Sequence, residues 1–261
     1  MRRELAKYFK EVMEPLTHED KELLRKAGIK ERPFFKSTKG GNCVVVYAYQ
    51  ARERVVLKFK TKSSPLFDQK TVNVLVKNGI GVVDFYGIKQ LPKGTFYGKT
   101  EAAYYEMKAW AGYDFEISLK ASIAAMKSTG FRMDTDRAKT AMKLIASDMH
   151  DAGYLAGSLF RAELLYTDFK PANVAKTTRV QLFDLHTGLE GHERSIQPSN
   201  SVAKHSESAL FYLDNVYHTI KDDANSHLEP LWSYAKDYFI QGVSKANGTK
   251  PLIAAINRGI W

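Results

Sequence analysis

Between Arg2 and Leu16 the apolar residues Leu5, Tyr8, Phe9, Val12, Met13 and Leu16 recur every three or four positions, the stripe of an amphipathic helix. Thr17 follows as an N-cap with Asp20 placed to reach back, and Gly28 ends a second short helix. A helical extension over residues 1–30 is therefore expected, either packed on the lobe that follows or serving as a docking arm. The period changes at Phe34. Val44-Val45-Val46-Tyr47-Ala48-Tyr49 and Val55-Val56-Leu57-Lys58-Phe59 are β-branched and aromatic, and the polar turn Gln50 to Arg54 between them predicts a hairpin. Ser64-Pro65 reads as the cap and first turn of a helix that stops at Asn78-Gly79. Gly81 to Ile88 and Glu101 to Met107 predict two more strands on either side of Pro92-Lys93-Gly94. The order β, β, α, β, β describes a small, mainly antiparallel lobe.

After Gly112 the pattern turns helical: Ile117 to Met126, Arg137 to Met149, a glycine-containing loop, then a short helix from Ser158 to Leu165. Two short strands, Ala172 to Ala175 and Val180 to Phe183, interrupt the helices. The polar stretch Gly188 to Lys204 reads as a long loop, and Ser206 as the cap of a helix lined by Leu210, Leu213, Tyr217 and Ile220. A last helix covers Leu228 to Val243. The fold class is α+β, with an extension over 1–30, a sheet-bearing lobe over 31–108 and a helical lobe over 109–261.

Composition narrows this picture modestly. The 261 residues are 44% hydrophobic and 26% charged, ordinary values for a folded globular chain. Lys and Arg number 39 against 29 Asp and Glu, and the formal charge of +10 favours anionic partners such as nucleotide phosphates. The single cysteine, Cys43, excludes an intramolecular disulfide and a zinc site built on several thiolates. Neither a secretory leader nor an apolar run of about 18 residues is legible, so no membrane insertion is expected and a cytoplasmic location is.

Three segments carry candidate chemistry. Thr38-Lys39-Gly40-Gly41-Asn42-Cys43 puts glycines at a hairpin tip, where backbone N–H groups can approach phosphate oxygens; a plain turn is the other reading. Lys58 sits in an otherwise apolar strand, where an anion should meet it unless it snorkels from the strand end. Third, Tyr166-Thr167-Asp168-Phe169-Lys170-Pro171-Ala172-Asn173 is followed, eleven residues after Asn173, by Asp184 in Leu182-Phe183-Asp184-Leu185-His186. One base, one cation and two oxygen ligands for a hard divalent metal are thereby available.

The third segment resembles the catalytic loop of protein kinases, His-Arg-Asp-Leu-Lys-Pro-x-Asn, and Asp184 resembles the Asp of their Asp-Phe-Gly motif. The resemblance spans roughly Phe34 to Tyr217 and implies a two-lobed protein kinase-like fold, with ATP and Mg²⁺ as cofactors, transferring the γ-phosphoryl to a hydroxyl. It places Gly40 and Gly41 over the phosphates, Val45 against adenine and Lys58 on the α- and β-phosphates. Tyr105-Glu106-Met107-Lys108 resembles the hinge whose backbone pairs with adenine, which makes Glu106 and Lys108 nucleotide-binding. Asp168 would orient the acceptor hydroxyl, Lys170 would neutralise the transferred group, and Asn173 and Asp184 would bind magnesium. Asp214 resembles the buried helix Asp that holds the catalytic loop.

Departures from the family pattern are as informative. Tyr166-Thr167 replaces His-Arg, so activity independent of activation-loop phosphorylation is implied. Leu185 and His186 replace the Phe and Gly after the metal-binding Asp, and Thr38 and Cys43 stand where glycines are usual. The helix after Lys58 offers no Glu, and Asp68 is the expected partner of Lys58. Lys170, two residues after the base, favours a protein Ser/Thr acceptor over small-molecule substrates. A pseudokinase that binds nucleotide or a partner without turnover is the alternative, as is a small-molecule kinase of the same fold. Nucleic acid is disfavoured as a partner, since dispersed lysines on solvated faces account for the charge. The trimmed pattern resembles kinases that bacteria or their viruses deploy against a host, which for an effector implies delivery to the host cytoplasm.

Overall fold

A computed structural model describes residues 5, 7, 8, 14–26, 28, 29, 32–37, 44–50, 53–64, 67–97, 100–109, 112–176, 179–186, 195–224 and 227–259. By their contacts they form two compact units: 13–67 with 83–111, and 1–12 with 68–82 and 112–261.

The first unit is built on a five-stranded antiparallel sheet. Its strands are β1 (Arg32–Ser37), β2 (Val44–Gln50), β3 (Glu53–Lys60), β4 (Phe85–Gln90) and, after the small hairpin β5 (Phe96–Tyr97) and β6 (Thr100–Glu101), β7 (Tyr104–Ala109). They lie in the order β1-β2-β3-β7-β4. Alternation assigns the faces: Val55, Leu57 and Phe59 of β3, Val46 and Ala48 of β2 and Tyr105 and Met107 of β7 share one buried cluster. Leu23 and Leu24 of helix α1 (His18–Lys26) complete it. The start of α1 follows the sequence reading, with Asp20 accepting from the Thr17 hydroxyl at 2.7 Å while its own N–H donates back to that hydroxyl at 3.2 Å. Of the helix expected over Arg2 to Leu16, residues 1–4, 6 and 9–13 lie outside the described residues.

The helix expected from Ser64-Pro65 begins later. Helix α2 spans Gln69–Lys77 and is capped by Asp68, while the Ser64 hydroxyl accepts at 3.1 Å from the N–H of Thr61, behind it in the chain. By its contacts α2 groups with the second unit.

That unit carries α3 (Phe115–Lys127), α4 (Asp136–Arg161), α5 (Val202–Ala224), α6 (Leu228–Lys245) and α7 (Lys250–Gly259). Asp114 and Thr135 cap α3 and α4 through bonds to Ile117 and Ala138. The glycine-containing loop expected after Met149 does not exist; α4 continues through Gly153 and Gly157 to Arg161. These glycines serve helix crossing, not turning. A Cβ on Gly153 would lie 2.0 Å from the Phe239 carbonyl oxygen, and one on Gly242 of α6 would lie 1.9 Å from that of His150. Three short strands, β8 (Leu164–Tyr166), β9 (Val174–Lys176) and β10 (Val180–Leu182), follow α4, and β11 (Ile196–Pro198), antiparallel to β8, interrupts the expected long loop. Helix α5 starts four residues ahead of Ser206, with the Ser201 hydroxyl accepting from Lys204 N–H at 3.3 Å. The chain is thus α+β, as the resemblance implies. Among the described residues no helix is long and apolar enough to cross a membrane.

Candidate active site

Strand β8 delivers the chain into a loop in which Asp168, Lys170 and Asn173 bond to one another. Thr167 N–H donates to Ser195 O at 2.9 Å, which fixes the exit from the β8–β11 ladder. Pro171 opens a 3₁₀ turn over Pro171–Asn173, where its missing N–H costs nothing, and the Asn173 N–H closes that turn on Lys170 O at 2.9 Å. The turn aims the Asn173 amide back at Asp168: Nδ2 donates to Oδ2 at 2.7 Å and to the backbone oxygen at 2.9 Å. Lys170 Nζ lies 2.9 Å from Asp168 Oδ1. Asn173 is buried, whereas Asp168 and Lys170 keep 29% and 34% of their side-chain surface, so the acid and the cation remain open to a reactant.

The antiparallel pair β9–β10 then returns the chain to the loop. The Tyr166 hydroxyl donates to the backbone oxygen of Asp184 at 3.1 Å, and Phe183 N–H donates to Asn173 O at 3.4 Å. Tyr166 is thus more than the substitute for a histidine: its phenol is bonded to the backbone of one expected acidic residue and within electrostatic reach of both. Burial pushes its pKa well above the ordinary tyrosine value, and the negative charges of Asp184 and Asp168 push it further, against a lowering by the Asn173 hydrogen bond. Asp168, Asn173 and Asp184 are therefore brought together around one neutral hydroxyl. Upstream, Leu182 N–H donates to Gly81 O at 3.0 Å, which anchors the strand that leads to Asp184.

The loop is supported from below by aromatic packing. Phe169 lies 4.7 Å from Tyr212 of α5, and Tyr212 lies 5.4 Å from Phe239 of α6, all centroid to centroid. Asp214 does not hold the loop. It is 41% exposed and pairs with His218 at 3.5 Å. Ser208 takes that place, its hydroxyl donating to Tyr166 O at 2.7 Å. Six residues of helix turn a side chain through roughly 240°, so Ser208 and Asp214 cannot share a face.

In the sheet unit, Val45 stands opposite Lys58 across the β2–β3 ladder, so it shares a face with the partly buried Lys58. Gly40 and Gly41, with Thr38 and Cys43, lie outside the described residues. The expected hinge is corrected. Tyr105 to Lys108 lie inside β7, between β3 and β4, with Glu106 paired to Lys58 on one side and Ile88 on the other, and Lys108 to Val56 and Phe85. Their backbone groups belong to the two ladders and are not a connection offered to a base. Asp68 is the cap of α2: Oδ1 accepts from the N–H groups of Lys70 and Thr71 at 3.1 and 3.2 Å, and Oδ2 from the Thr71 hydroxyl at 2.7 Å.

One cluster escaped the sequence reading. Glu106, fully buried, has Oε1 2.9 Å from Lys60 Nζ and Oε2 3.2 Å from Lys108 Nζ, and both lysines are buried too. The available signal was Lys60, two residues after Lys58 and on the same side of a strand whose opposite side carries Val55, Leu57 and Phe59. Among the described residues no group of three or more His, Cys, Asp or Glu is placed to hold a metal ion.

No family model matches this sequence, and no curated protein does. Three solved structures follow a similar chain course. The ROP18 kinase domain in complex with AMP-PNP and sucrose is 12% identical at a TM-score of 0.47, over 99% of this chain and 95% of that one. ROP2 from Toxoplasma gondii, described as a virulence factor with a protein-kinase fold and no enzymatic activity, is 10% identical at 0.45, over 87% and 81%. WaaP in complex with acyl carrier protein is 9% identical at 0.43, over 91% and 90%. At such identities the chemistry rests on the loop's own residues.

Proposed function

We propose that this chain is an ATP-dependent phosphotransferase that passes the γ-phosphoryl group to a hydroxyl, with a protein serine or threonine as the favoured acceptor. The observation that carries the reading is the loop from Tyr166 to Asn173, in which one carboxylate is fixed by an amide and faced by an ammonium. Phosphoryl transfer needs positioning and charge neutralisation more than covalent chemistry, and these groups supply both. Asp168, aimed by Asn173, would accept the hydrogen bond of the acceptor hydroxyl. Lys170, now on Asp168, would move onto the transferred oxygens as negative charge gathers there, and Lys58 would neutralise the α- and β-phosphates.

The donor set suits magnesium: the Asp184 carboxylate and the amide oxygen of Asn173 are hard oxygen ligands, and the Asn173 nitrogen is already turned to Asp168. A bound Mg²⁺ would supply charge neutralisation of the phosphates. The preference for a protein acceptor rests on Lys170, two residues after the base. Asp168→Ala and Lys58→Ala are each expected to lower ATP consumption by about a hundredfold or more. Full activity retained in either variant overturns the assignment.

A further inference from the structure

Alternation along β3 and β7 sorts the charged residues of the sheet unit onto one side. Lys58 and Glu106 are directly opposed in register, Lys60 lies two residues further along β3, and Lys108 lies two residues further along β7. All four share the face opposite the apolar cluster. Among these four residues are three ammonium groups and one carboxylate, and that carboxylate has each oxygen on a different lysine. The Phe67 ring lies 5.2 Å from Lys108 Nζ and stacks on Phe85 at 3.9 Å, so the Lys108 end of the cluster is walled by aromatic surface.

We infer that Glu106 is the positioning residue of a phosphate-binding face, a carboxylate supplied from within the sheet that holds the Lys60 and Lys108 ammonium groups in place beside Lys58, the residue that meets the phosphates. The inference rests on the phosphotransferase reading and names the group that organises its phosphate site. Its physics has a definite sign. Simple Coulomb reasoning says that removing a negative charge should tighten the binding of an anion. In a buried cluster the opposite follows: without Glu106 two buried ammonium groups lose the carboxylate they share, and their repulsion turns them away from each other and from the face. The face then loses the positive charge that a polyphosphate needs.

The test titrates the full chain with ATP, inorganic tripolyphosphate and adenosine, in the wild type and in Glu106→Gln, Glu106→Asp and Lys60→Met. Glu106→Gln is expected to weaken ATP and tripolyphosphate by about tenfold or more while adenosine affinity stays within twofold, with Glu106→Asp recovering part of the loss. A merely structural role would weaken adenosine equally. Should Glu106→Gln fail to give a cooperative melt, Lys60→Met decides by the same split between tripolyphosphate and adenosine. Unchanged or tighter tripolyphosphate binding in the folded variant overturns the inference and leaves the phosphotransferase reading standing. A wild-type chain that binds neither ATP nor tripolyphosphate overturns that reading, and this inference with it.

Discussion

At the scale of single residues, two buried tyrosines separate bonded from unbonded polarity. Tyr166 donates its hydroxyl to Asp184 O, whereas the Tyr212 hydroxyl is buried with no hydrogen-bond partner among the described residues. Tyr212→Phe should therefore leave stability at neutral pH unchanged or raise it by up to about 1 kcal/mol, while Tyr166→Phe costs about 1 kcal/mol, both read from denaturant unfolding. A Tyr212→Phe loss larger than that of Tyr166→Phe would contradict the assignment. Both phenols are pushed well above the ordinary tyrosine pKa by burial, and the charge of Asp148 adds to the effect at Tyr212. The folded state keeps these protons where the unfolded chain has released them. Their contribution is complete below about pH 10 and is lost as pH rises further, so the alkaline fall in unfolding midpoint should be shallower in Tyr212→Phe than in the wild type.

At the scale of elements, the closest approach in the helical unit is the crossing of α4 and α6 at Gly153 and Gly242. Both added methyl groups would meet backbone oxygen, which cannot swing aside as a side chain can. Gly153→Ala and Gly242→Ala should each destabilise the chain by about 1–3 kcal/mol in equilibrium unfolding; a change below about 0.5 kcal/mol in both would show that the helices stand further apart. These same glycines explain where the helix reading failed. A glycine in a helical pattern reads as a stop because its cost is local and its benefit, backbone approach by a distant helix, is not. Local signals performed better. The β2–β3 hairpin, the Thr17–Asp20 capping box and the short strands flanking Asn173 and Asp184 are encoded by neighbours in sequence, and the structure contains all of them within a few residues of their expected bounds. Strand β11 was illegible because its partner β8 is set by tertiary contact.

For the whole molecule, the legible part of the candidate site is the part contained in one stretch of chain. Asp168, Lys170 and Asn173 bond to one another within six residues, and Asp184 returns through a short hairpin. Partners brought from afar were not legible. Glu106 reaches Lys60 only through the β3–β7 register, and Ser208 rather than Asp214 reaches Tyr166 because the two lie on different sides of α5. The most direct test of phosphoryl transfer incubates the full chain with Mg²⁺, γ-labelled ATP and hydroxyl-bearing acceptors, the chain itself included, and follows the label. Wild type should move it onto a serine or threonine hydroxyl, and Asp168→Asn, with its melting midpoint measured alongside, should slow that transfer by about a hundredfold or more. Equal labelling by both proteins, or none by wild type with any acceptor although it binds ATP, would contradict the account.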